Sequence, residues 1–195
     1  MHIQTIPSGN HPLSTAMEAL YLEAFPQAER KPVDSLYTHQ EAGLCDVFGV
    51  ITEEGEFVGM ITTIKGDDLM MVEYLAIAPA FRGSGYGSRL LKLLLDMHPT
   101  TPICLEIEDT LDQQADNYEQ RQSRKRFYQA NGFYPLNWVS SYFGVAVEVM
   151  GTDPTIDFDQ YIQLYEPFYG ESTQEKIFFL EDRRKPNKEV EDDAT

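Results

Sequence analysis

The sequence has few cysteines, few histidines, few basic residues and no long hydrophobic run. Its 195 residues contain only Cys45, Cys104 and four histidines, and their spacing fits neither a disulfide framework nor a metal site. Fifteen basic residues face 32 acidic ones, a net charge of -17, which disfavours binding to nucleic acid or anionic lipid. No apolar run approaches the roughly 20 residues of a membrane span. With no recognisable secretory leader, these features predict a cytoplasmic protein with reduced thiols, no metal, and no nucleic-acid or membrane partner.

The composition and length predict one folded domain with a short tail. Hydrophobic residues make up 42% of the chain and charged residues 24%, which is typical of a globular protein. The last fifteen residues are charged, lack aromatics and include Pro186 and Asn187. We therefore predict a single domain over residues 1–180 and a flexible tail over 181–195.

The apolar pattern predicts helices and strands in mixed order. Helical spacing and end signals are found at 14–25, 88–97, 118–130 and 158–168. Strand patterns are found at 70–77, 102–108, 133–141, 145–150 and 176–180, and a hairpin at 47–65. This order predicts an α+β (mixed α/β) fold.

A glycine-rich turn between a strand and a helix is the strongest chemical signal. Gly83, Gly85 and Gly87 lie between the strand at 70–77 and the helix that begins near Ser88. Glycines let the backbone approach an anion, and the amides of a helix N-terminus attract it. The Lys-Ser/Thr of a Walker loop is absent, and Pro79, Ala80, Phe81 and Arg82 intervene before the first glycine, unlike a dinucleotide fingerprint. A diphosphate group remains the natural ligand, although such glycines can also serve the turn alone.

Two motifs resemble those of the GNAT superfamily of N-acyltransferases. Arg82 to Gly87, RGSGYG, is similar to the family's acetyl-CoA signature, Arg/Gln-x-x-Gly-x-Gly/Ala, and the preceding YLAIAP resembles its fourth strand. Phe127 to Phe133, FYQANGF, resembles the second family element, a helix that carries a tyrosine before Gly-Phe. The resemblance implies a central mixed, mostly antiparallel sheet, with splayed fourth and fifth strands and flanking helices.

The resemblance also implies how acetyl-CoA is bound as cosubstrate. The pyrophosphate contacts would come mainly from the backbone of Arg82, Gly83, Ser84, Gly85, Tyr86, Gly87 and Ser88. The pantetheine arm would pair with the fourth strand at Leu75, Ala76 and Ile77, and the Leu75 amide would polarise the thioester carbonyl. Where many members have a pantetheine-binding asparagine this chain has Arg121, and Asn117 lies four residues earlier. Arg121 and Arg124 would either contact the 3'-phosphate of the cofactor or pair with nearby acids.

Three residues are candidates for proton transfer. The resemblance assigns Tyr128 as the general acid that protonates the leaving thiolate, and a phenol with a pKa near ~10 is protonated at neutral pH. Glu106 resembles the base that some members have on the fifth strand. Glu73 is the competing base, and a bound water without an essential carboxylate is the third option. If the strands are regular, Glu73, Leu75 and Ile77 share one face.

Cys104 offers a different interpretation, as a nucleophile that would form an acyl-enzyme. It lies in a predicted strand without a neighbouring histidine. A small buried side chain is the simpler interpretation.

The acceptor is less well defined than the donor. Six acids lie between 106 and 119, with no basic residue from 102 to 120. This segment is either a solvated loop or a site that attracts a cation. Four aromatic residues could line an acceptor pocket or pack a homodimer: Tyr142, Phe143, Tyr165 and Tyr169.

We predict transfer of acetyl to a primary amine of a small, cationic acceptor in a ternary complex. A catalytically silent acyl-CoA sensor or scaffold of the same fold is the alternative, and a hydroxyl acceptor or a longer acyl group is a third option.

Overall fold

The fold is an eight-stranded sheet with helices on both faces. A computed structural model describes residues 1–27 and 29–184. The strands are β1 His2–Thr5, β2 Cys45–Ile51, β3 Phe57–Lys65, β4 Met70–Ile77, β5 Ile103–Glu108, β6 Tyr134–Tyr142, β7 Val145–Gly151 and β8 Ile177–Asp182. The helices are α1 Pro12–Ala24, α2 Val33–Glu41, α3 Tyr86–Met97, α4 Tyr118–Ala130, α5 Phe158–Gln163, α6 Glu166–Tyr169 and α7 Thr173–Lys176. The predicted α+β class is confirmed.

The sheet is mostly antiparallel and opens at its centre. Its strand order is β1-β2-β3-β4-β5-β7-β6-β8, and only β4 and β5 are parallel. These two strands pair only where Met70 to Val72 lie beside Ile103 to Leu105. Beyond that point they separate, so the predicted splay is confirmed and a gap opens beside the second half of β4.

A bulge in β4 changes which side chains share a face. In the register with β3, Thr62 lies opposite Tyr74 and Thr63 lies opposite Val72, which leaves Glu73 as the extra residue. Leu75 therefore returns to the face occupied by Val72, where both pack in the same cluster, while Tyr74 packs on the other face. The expectation that Glu73, Leu75 and Ile77 share one face is wrong, because it assumed a regular strand.

Three apolar clusters hold the layers together. Leucines of α3 and the end of α4 pack on one face against Val72, Leu105 and their neighbours. On the other face α1 and α2 cover β2 to β4, whereas α5 and α6 cover the other half of the sheet around Trp138. The gap between β4 and β5 therefore has different helices on its two sides.

Most predicted elements are present, with a few differences. The helix predicted at 118–130 has those bounds. The helix predicted at 158–168 is divided into α5 and α6, and β1 and α2 were not predicted. Strand β8 continues through Glu181 and Asp182, where the tail was expected to begin; residues 185–195 lie outside the described part of the chain. None of the described helices is long and apolar enough to cross a membrane.

Candidate active site

The glycine turn presents backbone amides at the start of α3. Gly83 and Gly85 have φ angles of +75° and +78°, and Gly85 is the N-cap residue with no side-chain cap. A Cβ built on Gly85 meets nothing within 4 Å, whereas one on Gly87 would lie 3.2 Å from Cζ of Phe127. Gly85 thus leaves open space before the first helical amides, and Gly87 lets α4 approach α3 closely. The residues around Gly85 are solvent-accessible, as an anion site requires.

The Arg82 side chain joins the glycine turn to β4. Its Nε donates to the Ile77 carbonyl at 2.9 Å, and its guanidinium lies 3.6 Å from Glu23. Arg82 therefore positions the turn through its side chain, besides any backbone contact to a ligand.

Backbone groups of β4 face the gap. The Ala78 amide donates to the Val58 carbonyl at 2.8 Å, and the Tyr74 amide donates to Oγ1 of Thr62. Antiparallel pairing alternates, so Ala76 faces β3 while the amides of Leu75 and Ile77 face away from it. Leu75 and Ile77 therefore have the orientation expected for pairing with an extended ligand. Ala76 does not, because its backbone faces β3 and its side chain lies in the core.

Tyr128 lies on the α3 and α4 side of the gap. Its ring contacts Phe127 and Phe133 and packs on the same cluster as Leu75 and Ile77. Burial raises the pKa of the Tyr128 phenol, and Arg124 only partly opposes this. The hydroxyl therefore keeps its proton at neutral pH and can donate it.

Glu106 lies on the opposite side of the gap, on β5. The hydroxyl of Tyr161 donates to its Oε1 at 2.5 Å, and the hydroxyl of Tyr165 donates to the same oxygen. Burial raises the pKa of Glu106, the two phenols lower it and Glu73 raises it further, with a net increase. A raised pKa makes the ionised form of a carboxylate a stronger base.

Glu73 is held in an ion pair. Its Oε1 lies 2.5 Å from Nζ of Lys31, and the two side chains are 10% and 14% exposed. Lys31 also lies over the ring of Phe168, 4.6 Å from the centroid. Burial lowers the pKa of Lys31, but the Glu73 carboxylate outweighs this and raises it. Glu73 is therefore less available as a base than Glu106.

The basic residues of α4 pair with the acidic segment. Nδ2 of Asn117 donates to Glu108 at 2.7 Å, and Oδ1 of Asn117 accepts from Nε of Arg121. Arg124 donates to the other oxygen of Glu108 at 2.6 Å. Of the two alternatives for Arg121 and Arg124, the structure has the ion pairs. Contacts of these two arginines and of Asn117 with a cofactor stay a prediction.

A second charged group lies beside α4, away from the gap between β4 and β5. Arg183 donates to both oxygens of Asp109 and lies 3.1 Å from Glu148, while Nζ of Lys125 lies 2.5 Å from Glu148. A cavity of about 210 Å³ lies beside these side chains and Trp138. This group is separate from the gap, and it uses a residue that the sequence pattern had assigned to the tail.

Aromatic side chains lie around the carboxylates of Glu73 and Glu106, on the side of the sheet that α5 and α6 cover. The hydroxyls of Tyr142 and Tyr169 are 3.4 Å apart, Phe143 packs against both rings, and Tyr165 stacks with Tyr169. Tyr142, Phe143 and Tyr169 are partly or fully accessible, whereas Tyr165 is buried. The predicted set is therefore brought together, and Tyr165 contacts Glu106 rather than only lining a wall.

Cys104 is a buried side chain and not a nucleophile. It has no exposed surface and packs with Ile64 and Met71. Burial raises the pKa of its thiol well above the usual range. No group of three or more metal-ligating side chains comes together within residues 1–27 and 29–184.

Sequence reasoning missed Lys31 and Tyr161, and it gave Tyr165 only as a possible pocket or dimer residue. Lys31 lies in a linker with no periodic pattern, so no sequence signal identifies it. Tyr161 and Tyr165 are four residues apart in the helix predicted at 158–168, a spacing that places two side chains on one face. That spacing was the available signal for a pair of phenols acting together.

Comparison with known proteins identifies a similar family. Residues 45–135 match the family model described as an acetyltransferase (GNAT) domain. A search of curated proteins finds no significant match.

Several solved structures share the fold. A protein described as an acetyltransferase of the GNAT family from Bacteroides thetaiotaomicron is 24% identical, with a TM-score of 0.70 over 87% of this chain and 99% of that one. An aminoglycoside 6'-N-acetyltransferase complexed with coenzyme A is 19% identical, with a TM-score of 0.61 over 80% and 100% of the two chains. A spermidine N-acetyltransferase variant from Vibrio cholerae is 16% identical, with a TM-score of 0.57 over 77% and 94%. Residues 45–135 therefore resemble a GNAT acetyltransferase domain, and the whole sheet shares its fold with solved GNAT acetyltransferases.

Proposed function

We propose that this protein transfers the acetyl group of acetyl-CoA to a primary amine of a small cationic acceptor. The observation that carries the proposal is the placement of Tyr128 and Glu106 on opposite sides of a gap that the amides of Leu75 and Ile77 face. The glycine turn lies just beyond β4, where the pyrophosphate of the cosubstrate would meet the amides of α3.

The residues divide the chemistry of a direct attack. Glu106 accepts a proton from the acceptor ammonium, and the free amine attacks the thioester carbonyl carbon. The Leu75 amide donates to the carbonyl oxygen as it becomes negative, a contribution of about 3 kcal/mol when water is excluded. Tyr128 gives its proton to the sulfur as the carbon–sulfur bond breaks. The attacking nitrogen releases its second proton to solvent, and the Tyr128 phenolate is reprotonated from solvent. The products are an acetamide and free coenzyme A.

Charge and aromatic surface support a cationic acceptor. Glu73 and Glu106 are two acidic side chains beside the single positive charge of Lys31. Tyr142, Phe143 and Tyr169 offer ring faces that attract ammonium groups. The solved neighbours named for spermidine and aminoglycoside acetylation act on compounds of this class.

The test is thiol release from acetyl-CoA with a panel of amines, which includes spermidine, an aminoglycoside and amino-acid amides. Calorimetric binding of acetyl-CoA to the same sample is the control. Amine-dependent release that is lost in Glu106→Gln supports the proposal. Binding without release from any amine would favour the silent sensor, and absence of binding would contradict the cosubstrate assignment.

A further inference from the structure

We propose that Tyr161 and Tyr165 are positioning residues that together orient and ionise Glu106. This inference rests on the proposed function, in which Glu106 is the base. Both phenols belong to the segment that follows β7, outside the part of the chain that matches the family model. The acceptor side of the site is thus completed by a segment outside the family match.

The geometry restricts the carboxylate strongly. Both hydroxyls donate to the same oxygen, Oε1. Within the described residues, no hydrogen bond from another side chain reaches Oε2 of Glu106. Two donors on one oxygen fix the rotation of the carboxylate and leave Oε2 to accept the proton of the substrate.

The phenols are themselves fixed by packing. Tyr161 and Tyr165 are 0% and 1% exposed. Tyr161 packs against the rings of Trp138 and Phe158, and Tyr165 packs against those of Tyr142 and Tyr169. The start of α5 is closed by a capping box between Asp157 and Gln160. The two hydroxyls therefore have little freedom to leave the carboxylate.

The surrounding charged groups determine whether loss of a phenol raises or lowers the pKa of Glu106. The charged and titratable groups that act on Glu106 or respond to its charge are Glu73, Lys31, Cys104, Tyr142, Tyr161 and Tyr165. Among them, Glu73 disfavours the ionised form, whereas Lys31 and the two phenols favour it. A phenol that donates to a carboxylate stabilises its negative charge. Removal of either hydroxyl must therefore raise the pKa of Glu106.

The test uses Tyr161→Phe and Tyr165→Phe, which remove one oxygen each and keep the rings. The readouts are the pH profile of kcat/KM and the titration of the Glu106 carboxyl by ¹³C NMR, assigned by difference from Glu106→Gln. We expect each variant to move both the acidic limb and the NMR titration to higher pH by about one unit, as expected for a hydrogen bond to a charged group. The double variant should move them further, and the affinity for acetyl-CoA should not change.

Tyr37→Phe is the matched control. Tyr37 is also buried and donates to a glutamate, Glu18, at 2.9 Å. This hydrogen bond joins α2 to α1, away from Glu106. The variant should lose some stability without moving the titration of Glu106.

An unchanged titration of Glu106 in both single variants would overturn the inference, whatever their effect on the melting temperature. Failure of the proposed function is distinguishable, because the NMR titration does not need turnover. A shifted titration with no amine-dependent activity in the wild type would support the action of the two phenols on Glu106 and contradict the proposed function alone. If one variant fails to fold, the other decides.

Discussion

Nζ of Lys31 lies 2.5 Å from Oε1 of Glu73, inside the protein and against the ring of Phe168. This ion pair joins the linker after α1 to the bulge of β4. It keeps a second carboxylate beside the gap without leaving its charge uncompensated.

Lys31→Met should therefore destabilise the fold. A mostly buried carboxylate without its partner costs about 3 kcal/mol, which lowers the melting temperature by about 6–12 °C in a chain of this length. Lys65→Met is the control, because the pair of Lys65 with Asp46 is more exposed and should contribute about 1 kcal/mol or less. Equal losses in the two variants would contradict the assigned role of Lys31.

Glu106→Gln should lower activity and alter the pH dependence of stability. The folded pKa of Glu106 is raised above its ordinary value of 4.5, so the folded state keeps a proton that the unfolded state has lost. Wild-type stability must then fall as pH rises from about 4.5 through the folded pKa. Glutamine does not titrate and has no such cost. The melting temperature of Glu106→Gln, relative to that of the wild type, should therefore increase as pH rises over that range. If the melting temperatures of the variant and the wild type change with pH in parallel, the Glu106 carboxylate is not desolvated.

Tyr128→Phe should lower kcat by roughly 10- to 1000-fold with little change in acetyl-CoA affinity. The reason is that the thiolate loses its proton donor while the binding contacts remain. Tyr134→Phe, at an exposed position close in sequence, serves as the control and should retain full activity. Unchanged turnover in Tyr128→Phe would remove this phenol from the mechanism.

Gly85→Ala should weaken acetyl-CoA binding by at least about tenfold, because a Cβ enters the space before the amides of α3. Gly43→Ala is closely matched, with a φ of +77° and the same open surroundings. Both variants should lose about 1 kcal/mol of stability from the left-handed backbone, and only Gly85→Ala should lose affinity. Equal affinity in the two variants would count against the assigned anion site.

Arg183→Met should destabilise the chain by about 3 kcal/mol, since Asp109 and Glu148 lose a partly buried partner. Burial raises the pKa of Asp109, but Arg183 outweighs this and lowers it below 3.8. The stability contributed by this pair is present above pH 3.8 and is lost as pH falls through the folded pKa, so the effect of the substitution should shrink in acid. Arg184→Met, at an exposed neighbouring position, should leave the melting temperature unchanged at both pH values. A pH-independent loss in Arg183→Met would indicate a packing effect instead.

The donor side of the site could be predicted from the sequence because it is local. Gly83 to Ser88 form one turn, and Tyr128 precedes a recognisable helix end at Asn131 and Gly132. The bulge at Glu73 could not be predicted, since it depends on the register of β4 against β3.

The acceptor side depends on contacts between distant parts of the chain. Lys31 reaches Glu73 from a linker without a pattern. Outside the gap, Arg183 pairs in the same way with Asp109, across 74 positions. Pairings of this kind are decided by the tertiary fold. The cytoplasmic location and a homodimer remain predictions of the sequence.

The two phenols that hold Glu106 follow it by 55 and 59 positions in the chain. On the ribosome, the glycine turn and the helix that carries Tyr128 are therefore made first, and the support for the carboxylate is made later. Because chains fold from the N-terminus during synthesis, a nascent chain can present the cosubstrate site before its base is in place. Under the proposed function, acetyl transfer begins only after the chain has been translated through Tyr165.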